Sequence, residues 1–518
     1  MDHPPLDVCH RAPRVRLNQA DPTTQRRPRF AAPAFLLAAW LTACGGGGGD
    51  ASPQPVPPGL PGAQASSLAS AASLVAPGCT GGRSSGTVYL DAEVEPTLVA
   101  SPLNPQHLVA AWQQDRASDG GARALVSAVS FDGGLTWARS LQPFSRCGGA
   151  LAGSAGDHER ATDPWVDIAP DGTVYLMGLA FSGANFSASS RSAMLVSRSS
   201  DGGRTFGAPL LLHGDGAQGF NDKNTLTADP TDARFVYAVW DRLDSAGNGP
   251  TLLARSTDGG QTWEAARQIV VPTVGVSQTG ISQTIGNRII VLTSGPERGA
   301  LVNVFTQIDT DNGNSSATVR ATRSLDKGLS WSAPVVVGEH RSVGTRDAAS
   351  GQAIRDGGII PAVAAGADGR IWVAWQDARF TSGAHDAIAL VVSSDGARTF
   401  SAPVAANRDL SVPAFTPNLA TRPDGGVALL HYDLRSNTAA TQTLLADAWL
   451  VQTSDAVAFS ETALVRGFDM AQAPDAGGLF LGDYQGRVWA NGRFIAVAAL
   501  AAGGNTNRTD IFALGVGP

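Results

Sequence analysis

One eight-residue string constrains this chain more than any other feature. Ser130-Phe-Asp132-Gly-Gly134-Leu-Thr-Trp137 returns as Ser199-Ser-Asp201-Gly-Gly203-Arg-Thr-Phe206 and as Ser256-Thr-Asp258-Gly-Gly260-Gln-Thr-Trp263. Ser324-Leu-Asp326-Lys-Gly328-Leu-Ser-Trp331 and Ser393-Ser-Asp395-Gly-Ala397-Arg-Thr-Phe400 follow. Thr453-Ser-Asp455-Ala-Val-Ala-Phe459 is a decayed sixth copy. The copies begin 57 to 69 residues apart, a period that marks an array of supersecondary units. The string has the chemistry of a tight hairpin. Its Asp accepts from backbone N–H groups nearby, its Gly supplies positive φ, and its aromatic ring covers the corner.

Strand-like runs lead into the boxes: Ala124-Leu-Val-Ser-Ala-Val129, Ala193-Met-Leu-Val196, Thr251-Leu-Leu-Ala254 and Ala387-Ile-Ala-Leu-Val-Val392. A second apolar run precedes each of these. Leu108-Val-Ala-Ala-Trp112, Phe235-Val-Tyr-Ala-Val-Trp240 and Ile371-Trp-Val-Ala-Trp375 are the clearest, and Ile289-Ile-Val-Leu292 is a similar piece. Each unit therefore reads strand, turn, strand, loop, strand, box, strand. Four strands per roughly 60 residues make a β-propeller blade. The predicted fold class is all-β, a propeller of four-stranded blades. Opening strand pairs fall near 95–112, 163–178, 222–240, 282–293, 359–375, 416–432 and 482–500, which favours seven blades, with six the alternative. The last unit lacks a box and ends in Asp510-Ile-Phe-Ala-Leu514. The N-terminal strand Gly86-Thr-Val-Tyr-Leu90 is expected to supply its outer strand and close the ring.

The ligand site of such a ring is the mouth of its central channel, where the innermost strands begin. Carboxylates at those positions are Glu93, Glu95, Asp163, Asp222, Asp356 and Asp483, with Tyr484 beside the last. Arg116, Arg160, Arg242, Arg298, Arg355 and Arg379 are the neighbouring cations. Carboxylates converging on one rim raise each other's pKa or bind a cation. The alternative is that Glu95-Pro96 and Asp163-Pro164 merely turn the chain into its blades. No Cys-x-x-Cys or His-x-x-x-His pair is present for zinc, and no Gly-x-x-x-x-Gly-Lys loop for phosphate. Asp309-Thr-Asp311-Asn-Gly-Asn314 resembles a fragment of a calcium loop but reads as a polar turn. No cofactor is expected; a structural calcium ion is left open but not indicated by the sequence.

The repeated strings resemble the Asp-boxes (BNR repeats) of the sialidase superfamily, over nearly all of the chain beyond residue 80. Glu95-Pro-Thr97 with Pro102-Leu-Asn-Pro105, and Gly482-Asp-Tyr-Gln-Gly486, also resemble bacterial sialidase-like proteins. The resemblance implies that Asp132, Asp201, Asp258, Asp326 and Asp395 are structural, on outer hairpins away from the ligand face. It implies a glycan or glycoprotein ligand and a glycoside hydrolase of exo-sialidase type. In that chemistry three arginines clamp the substrate carboxylate, a Tyr activated by a Glu is the nucleophile, and an Asp is the acid/base. Tyr484 matches the nucleophile, Glu95 or Glu93 its partner and Asp163 the acid. Arg116, Arg160, Arg242, Arg355 and Arg379, with Asp222 and Asp483, are the substrate-binding candidates. The family's Arg-Ile-Pro motif is missing; the nearest string, Gly358-Ile-Ile-Pro361, has no Arg. Whether the chain is an enzyme therefore stays open. The alternative is a non-catalytic propeller that binds glycan or protein through the same mouth.

Arg26, Arg27 and Arg29 precede an apolar run, Ala31 to Leu41, which leads into Leu41-Thr-Ala-Cys44. That order is a secretory signal, and its ending resembles a bacterial lipobox with Cys44 as the lipidated residue. The run is too short to span a bilayer as a permanent helix. The expected organisation is a leader over 1–43, a lipidated flexible tether rich in Gly, Pro, Ala and Ser over 44–80, and the propeller over 81–518. Localisation would be the bacterial cell envelope, extracytoplasmic, held by the lipid alone, and in the outer membrane if the organism has one. In that oxidising compartment Cys79 and Cys147 are expected to pair. A net charge of −7, with only two Lys among 38 basic residues, argues against a nucleic-acid partner. A monomer is expected.

Overall fold

The computed structural model describes residues 66–82, 84–273, 280–439, 443–501 and 509–516. The leader and Cys44 lie outside those residues. The described chain is all-β and forms seven four-stranded antiparallel units in chain order, five of them separate sheets and the first two joined in one eight-stranded sheet. Their first strands are Glu93–Ala100, Arg160–Ile168, Gly219–Ala228, Ile281–Val291, Ala362–Ala365, Ala414–Thr421 and Gly486–Ala490. The first and second sheets are linked by one further pair, Ala122 with Ala161. Each first strand touches the first strand of the next sheet, and the seventh touches the first.

Apolar side chains fill the gaps between consecutive sheets. Val109 and Leu125 of the first sheet meet Leu176 and Leu195 of the second. Val304 of the fourth meets Val373 and Trp375 of the fifth. Leu430 of the sixth meets Phe494 and Phe512 of the seventh together with Trp112 of the first. Middle strands are therefore covered on both faces; Leu108–Arg116 and Val174–Ser182 are buried throughout. That is why they read as unbroken apolar runs rather than alternating ones.

The boxes are the hairpins between third and fourth strands. In the first, Ser130 Oγ donates to Asp132 Oδ1 at 2.7 Å and accepts from Gly134 N at 2.8 Å. Asp132 Oδ1 accepts the N–H groups of Leu135 and Thr136, each at 3.0 Å. Gly134 stands at φ 89°, and the fifth box keeps that conformation with Ala397 at φ 65°. The decayed copy keeps half of the pattern: Asp455 still accepts from Val457 and Ala458. Asp309 to Asn314 is a polar hairpin tip, with Asp311 paired to Asn314.

Three sequence expectations are corrected. The outer strand of the seventh sheet is Ser66–Leu68, paired with Phe512–Leu514, whereas Val88 of Gly86–Leu90 makes only an isolated bridge to Ala117. Ser66–Leu68 prevails because Ala69, just after it, buries in the core against the seventh sheet. Within the span expected as a tether, Ala69, Ser70 and Val75 are buried, while 76–78 and 80 are exposed. Val75 lies beside the bonded sulfurs of Cys79 and Cys147. In the fourth sheet, Ile289–Leu292 is no second strand. Most of it ends one long first strand, Ile281–Val291, whose partner is Leu301–Asp311.

A small extra sheet crosses between distant units. Thr345–Arg346 pairs with Ala353–Arg355, which runs parallel to Leu479–Phe480 ahead of the seventh sheet. This strap lays Arg355 next to Asp483.

Candidate functional site

The first strands share a device that aims side chains inward. In five of them the pairing slips by a bulge, between Val94 and Thr97, Thr162 and Trp165, Asp222 and Thr225, Ile285 and Arg288, and Phe415 and Asn418. The bulged residue is left-handed each time: Glu95 at φ 56°, Asp163 at 52°, Lys223 at 46°, Gly286 at 68° and Thr416 at 51°. Four of these five are not glycine, and such backbone strain persists only where surroundings hold it. Here neighbouring side chains do. Asp163 Oδ2 accepts Lys223 N at 3.0 Å, Asp241 Oδ2 accepts Gly286 N at 2.9 Å and Gln376 Oε1 accepts Thr416 N at 2.9 Å. Pro96, Pro164 and Pro417 follow three of the bulges, where a missing N–H costs nothing.

Lys223 sits at the meeting point. Its Nζ bonds Asp483 Oδ2 and lies 3.7 Å from both Glu95 Oε1 and Asp163 Oδ1, so one ammonium from the third sheet gathers carboxylates from the first and second and from the connection ahead of the seventh. Arg355 Nη2 reaches Asp483 Oδ2 at 2.9 Å from the strap. Glu95 accepts from Gln113 and from Asp483 N, the latter at 3.3 Å, and Gln113 in turn accepts from Arg116 at 2.8 Å. The guanidiniums of Arg116 and Arg355 both lie over the Phe480 ring, 4.7 and 4.5 Å from its centroid.

Burial and charge set the protonation states. Burial pushes Glu95 up to about 8, with Lys223 opposing and Asp163 and Asp483 adding to the rise. Burial also lifts Asp222 to about 6. Desolvation would lower Lys223, but Asp163, Asp483 and Glu95 outweigh it and hold the ammonium charged. Asp483 is pulled well below the carboxylate range because Arg355 and Lys223 outweigh its burial. Burial, with Glu95, Asp163 and Asp483 nearby, drives the Tyr484 phenol well above its ordinary value.

A cavity opens beside this cluster. Trp165, Asn224, Arg288, Asn418 and Tyr484 line it together with Lys223 and Asp483. Tyr484 meets Trp165 edge-on at 5.5 Å, and Arg288 stacks over Trp165 at 5.0 Å.

Of the residues singled out in the sequence, Glu95, Asp163, Asp222, Asp483, Tyr484, Arg116 and Arg355 come together here. Three arginines do not, because each is held by a carboxylate of its own. Arg160 pairs with Asp119 at 2.7 Å, Arg242 with Asp215 at 2.7 Å and Arg379 with Asp377 at 2.8 Å. Glu93 accepts from Gln114 at 2.6 Å, Asp356 from Gln376 at 2.9 Å, and Arg298 is exposed in a turn. The Tyr484 hydroxyl donates to Pro164 O at 3.2 Å. Among the described residues no group of three or more His, Cys, Asp or Glu is arranged to hold a metal ion. Sequence reasoning missed Lys223, Trp165, Arg288 and Asn418. Their signal was positional: Lys223 is the bulged residue, and the others stand two places after one.

The chain carries Asp-box repeats, and its four-stranded antiparallel sheets are consistent with a β-propeller. The family described as BNR/Asp-box repeat matches residues 254–265, the third box. No curated protein matches the sequence. Among solved structures, the Hadza microbial sialidase Hz136 is similar at 16% identity and TM-score 0.43, covering 80% of this chain and 74% of its own. The α-L-arabinofuranosidase Arb93A from Fusarium graminearum is similar at 11% identity and TM-score 0.43, covering 84% and 98%. A polysaccharide lyase of family PL25, an ulvan lyase, is similar at 12% identity and TM-score 0.49, covering 83% and 96%.

Proposed function

We propose that the seven units are seven blades closed into one ring, the seventh completed by Ser66–Leu68, and that the cavity at its hub receives a carbohydrate. First strands in contact all the way round, and apolar clusters between every consecutive pair of sheets, support the ring. One observation carries the ligand class. The cavity joins the Trp165 ring to the amides of Asn224 and Asn418 and to charged Lys223, Arg288 and Asp483. An aromatic face with a few convergent polar groups is what a sugar ring, apolar on its faces and hydroxylated at its edge, requires.

Recognition is the function this geometry serves best. A sialidase-type nucleophile hands its phenol proton to a neighbouring base, whereas the Tyr484 hydroxyl donates to Pro164 O, an uncharged carbonyl. A second reading, glycoside hydrolysis, draws support from Glu95, a carboxyl still half protonated near pH 8 and so able to donate a proton. The test is calorimetric titration of the purified chain with neutral and acidic oligosaccharides, beside release of fluorophore from a sialoside. Binding without turnover supports recognition. Turnover abolished in Tyr484→Phe overturns it in favour of the sialidase reading, and binding of no sugar overturns both.

We also infer a monomer held at the cell envelope through a lipid on Cys44, from the lipobox-like Leu41-Thr-Ala-Cys44. Labelled palmitate should enter the wild-type chain and not Cys44→Ala, and light scattering should give the mass of a single chain.

A further inference from the structure

We propose that the end of the ring that carries the box hairpins rests on a lipid surface, with the hub mouth turned away from it. The proposal rests on the closed ring and on the Cys44 lipid proposed above. Strand registers put box and hub at opposite ends of a unit. In the first unit Glu93 lies beside Gln114, whereas Ala100 and Leu108 lie level with Ser130, where the box begins. The third unit agrees: Asp222 lies beside Asp241, and Ser256 of its box beside Val236 at the far end.

Ser66, the first described residue, stands toward the box end. It pairs with Leu514, and Leu68 with Phe512, so this strand runs away from the end where Val516 lies beside Phe494. Asp483 and Tyr484 precede Gly486 at the other end of the same sheet. Ser67 Oγ also donates to Gly134 O inside the first box. A lipid on Cys44, 22 positions before Ser66, would therefore bring the box end to the bilayer first. A short link sets an effective concentration on the order of millimolar, enough for a face too weak to bind unaided.

That end is tipped with apolar side chains. Leu135, Leu325, Leu329 and Val457, in the first, fourth and sixth boxes, are 61% to 82% exposed. Phe131 of the first box, and Leu103 in the turn before Leu108, are exposed at the same end. The hairpin itself does not call for them: at the place of Leu135 and Leu329 other copies carry Arg204, Gln261 and Arg398. None of these places holds a carboxylate that lipid phosphates would repel. The tips stand on separate units. A protein partner needs one continuous patch of about 800 Å², whereas a bilayer meets scattered tips together and takes their side chains into its acyl boundary.

The test reconstitutes the full chain into vesicles of phosphatidylethanolamine and phosphatidylglycerol. An environment-sensitive fluorescent side chain replaces either Gln261, at a box tip, or Ala246, in the exposed turn at the opposite end of the same unit. A blue shift with quenching by brominated lipid at 261, absent at 246, supports the proposal. Equal emission at both places, or a shift at 246 alone, overturns it. Mass spectrometry of the same sample separates the two readings. Acyl chains on Cys44 with no shift at 261 overturn the face and leave the anchor standing. A chain without acyl groups sinks the anchor alone, and the face is then judged by partitioning of Cys44→Ala onto the same vesicles at high lipid concentration. Partitioning that falls about tenfold or more when Leu135→Ser, Leu325→Ser and Leu329→Ser are combined, with the melting temperature unchanged, supports the face. No partitioning, or partitioning that ignores those substitutions, overturns it. Paired chains in vesicle-free solution that the same substitutions separate would give the face to a second copy and likewise overturn the proposal.

Discussion

Replacing Lys223 by Met tests whether one ammonium holds the hub together. The loss can be worked out carboxylate by carboxylate. Asp483 keeps Arg355 at 2.9 Å, so it does not lose its last cation. Glu95, up at about 8, is mostly protonated at pH 7 and loses little there. Asp163 keeps hydrogen bonds from Thr162 Oγ1 and from the backbone N of residue 223 but loses the ammonium 3.7 Å away. Asp222, at about 6, is mostly ionised at pH 7 and loses the same ammonium. Breaking a buried ion pair from one side costs about 3–5 kcal/mol, and a loss in that range is expected at pH 7. Above pH 8 the cost should grow, because Glu95 also ionises in wild type and there gains from Lys223. Toward pH 5 it should shrink. Denaturant unfolding of wild type and Lys223→Met at pH 5, 7 and 9 measures the series. A loss under about 1 kcal/mol at every pH, or one larger at pH 5 than at pH 9, would refute the reasoning.

Wild-type stability should itself fall between about pH 7 and pH 9, above the range where the lowered His158 and His431 make it rise. Glu95, Asp222 and Asp167 are carboxyls with raised folded values, about 8, 6 and 6. Their contribution is complete below the unfolded values of 4.5 and 3.8 and is lost as pH rises through the folded ones, so unfolding curves that strengthen over this window would contradict the assignment. Cys79→Ser should lower stability by up to about 4 kcal/mol, from the 68-residue separation it closes, read by melting with Cys147→Ser as a matched control. Gly357→Ala should both destabilise and weaken ligand binding, because its Cβ would come within 2.5 Å of Asp483 O at φ 60° and lift the strap. Gly351→Ala, at φ 73° with open space around it, should cost only about 1 kcal/mol and leave binding unchanged.

The outer frame of the fold was legible because its signals are local. A Ser-x-Asp-Gly-Gly string writes its own hairpin through contacts within eight residues, so box and flanking strands could be placed without tertiary information. The hub was legible only in part. Glu95 and Asp163 were visible as strand-opening carboxylates, but the bulges that make them converge come from side chains of other sheets, as when Asp163 braces Lys223 N. Lys223 was hidden because its importance lies in partners 60 and 260 residues away. The arginines misled for the same reason. Asp119, Asp215 and Asp377 capture Arg160, Arg242 and Arg379, and no spacing rule separates a captured guanidinium from one facing the axis. The outer strand of the last sheet was misplaced because Ser66–Leu68 carries three residues and no periodicity, while Gly86–Leu90 has the better strand composition.

The bond between Cys79 and Cys147 changes what a pull on the N-terminal side can do. Tension applied ahead of Ser66 would first peel the short strand Ser66–Leu68 from Phe512–Leu514, one residue pair after another. It could then draw out only the stretch up to Cys79, after which the load passes through the sulfurs into the first sheet at Cys147. The hub carboxylates on Glu95 and Asp163 lie downstream of that stop. Such a pull would be absorbed at the outer strand while the carboxylate cluster kept its shape.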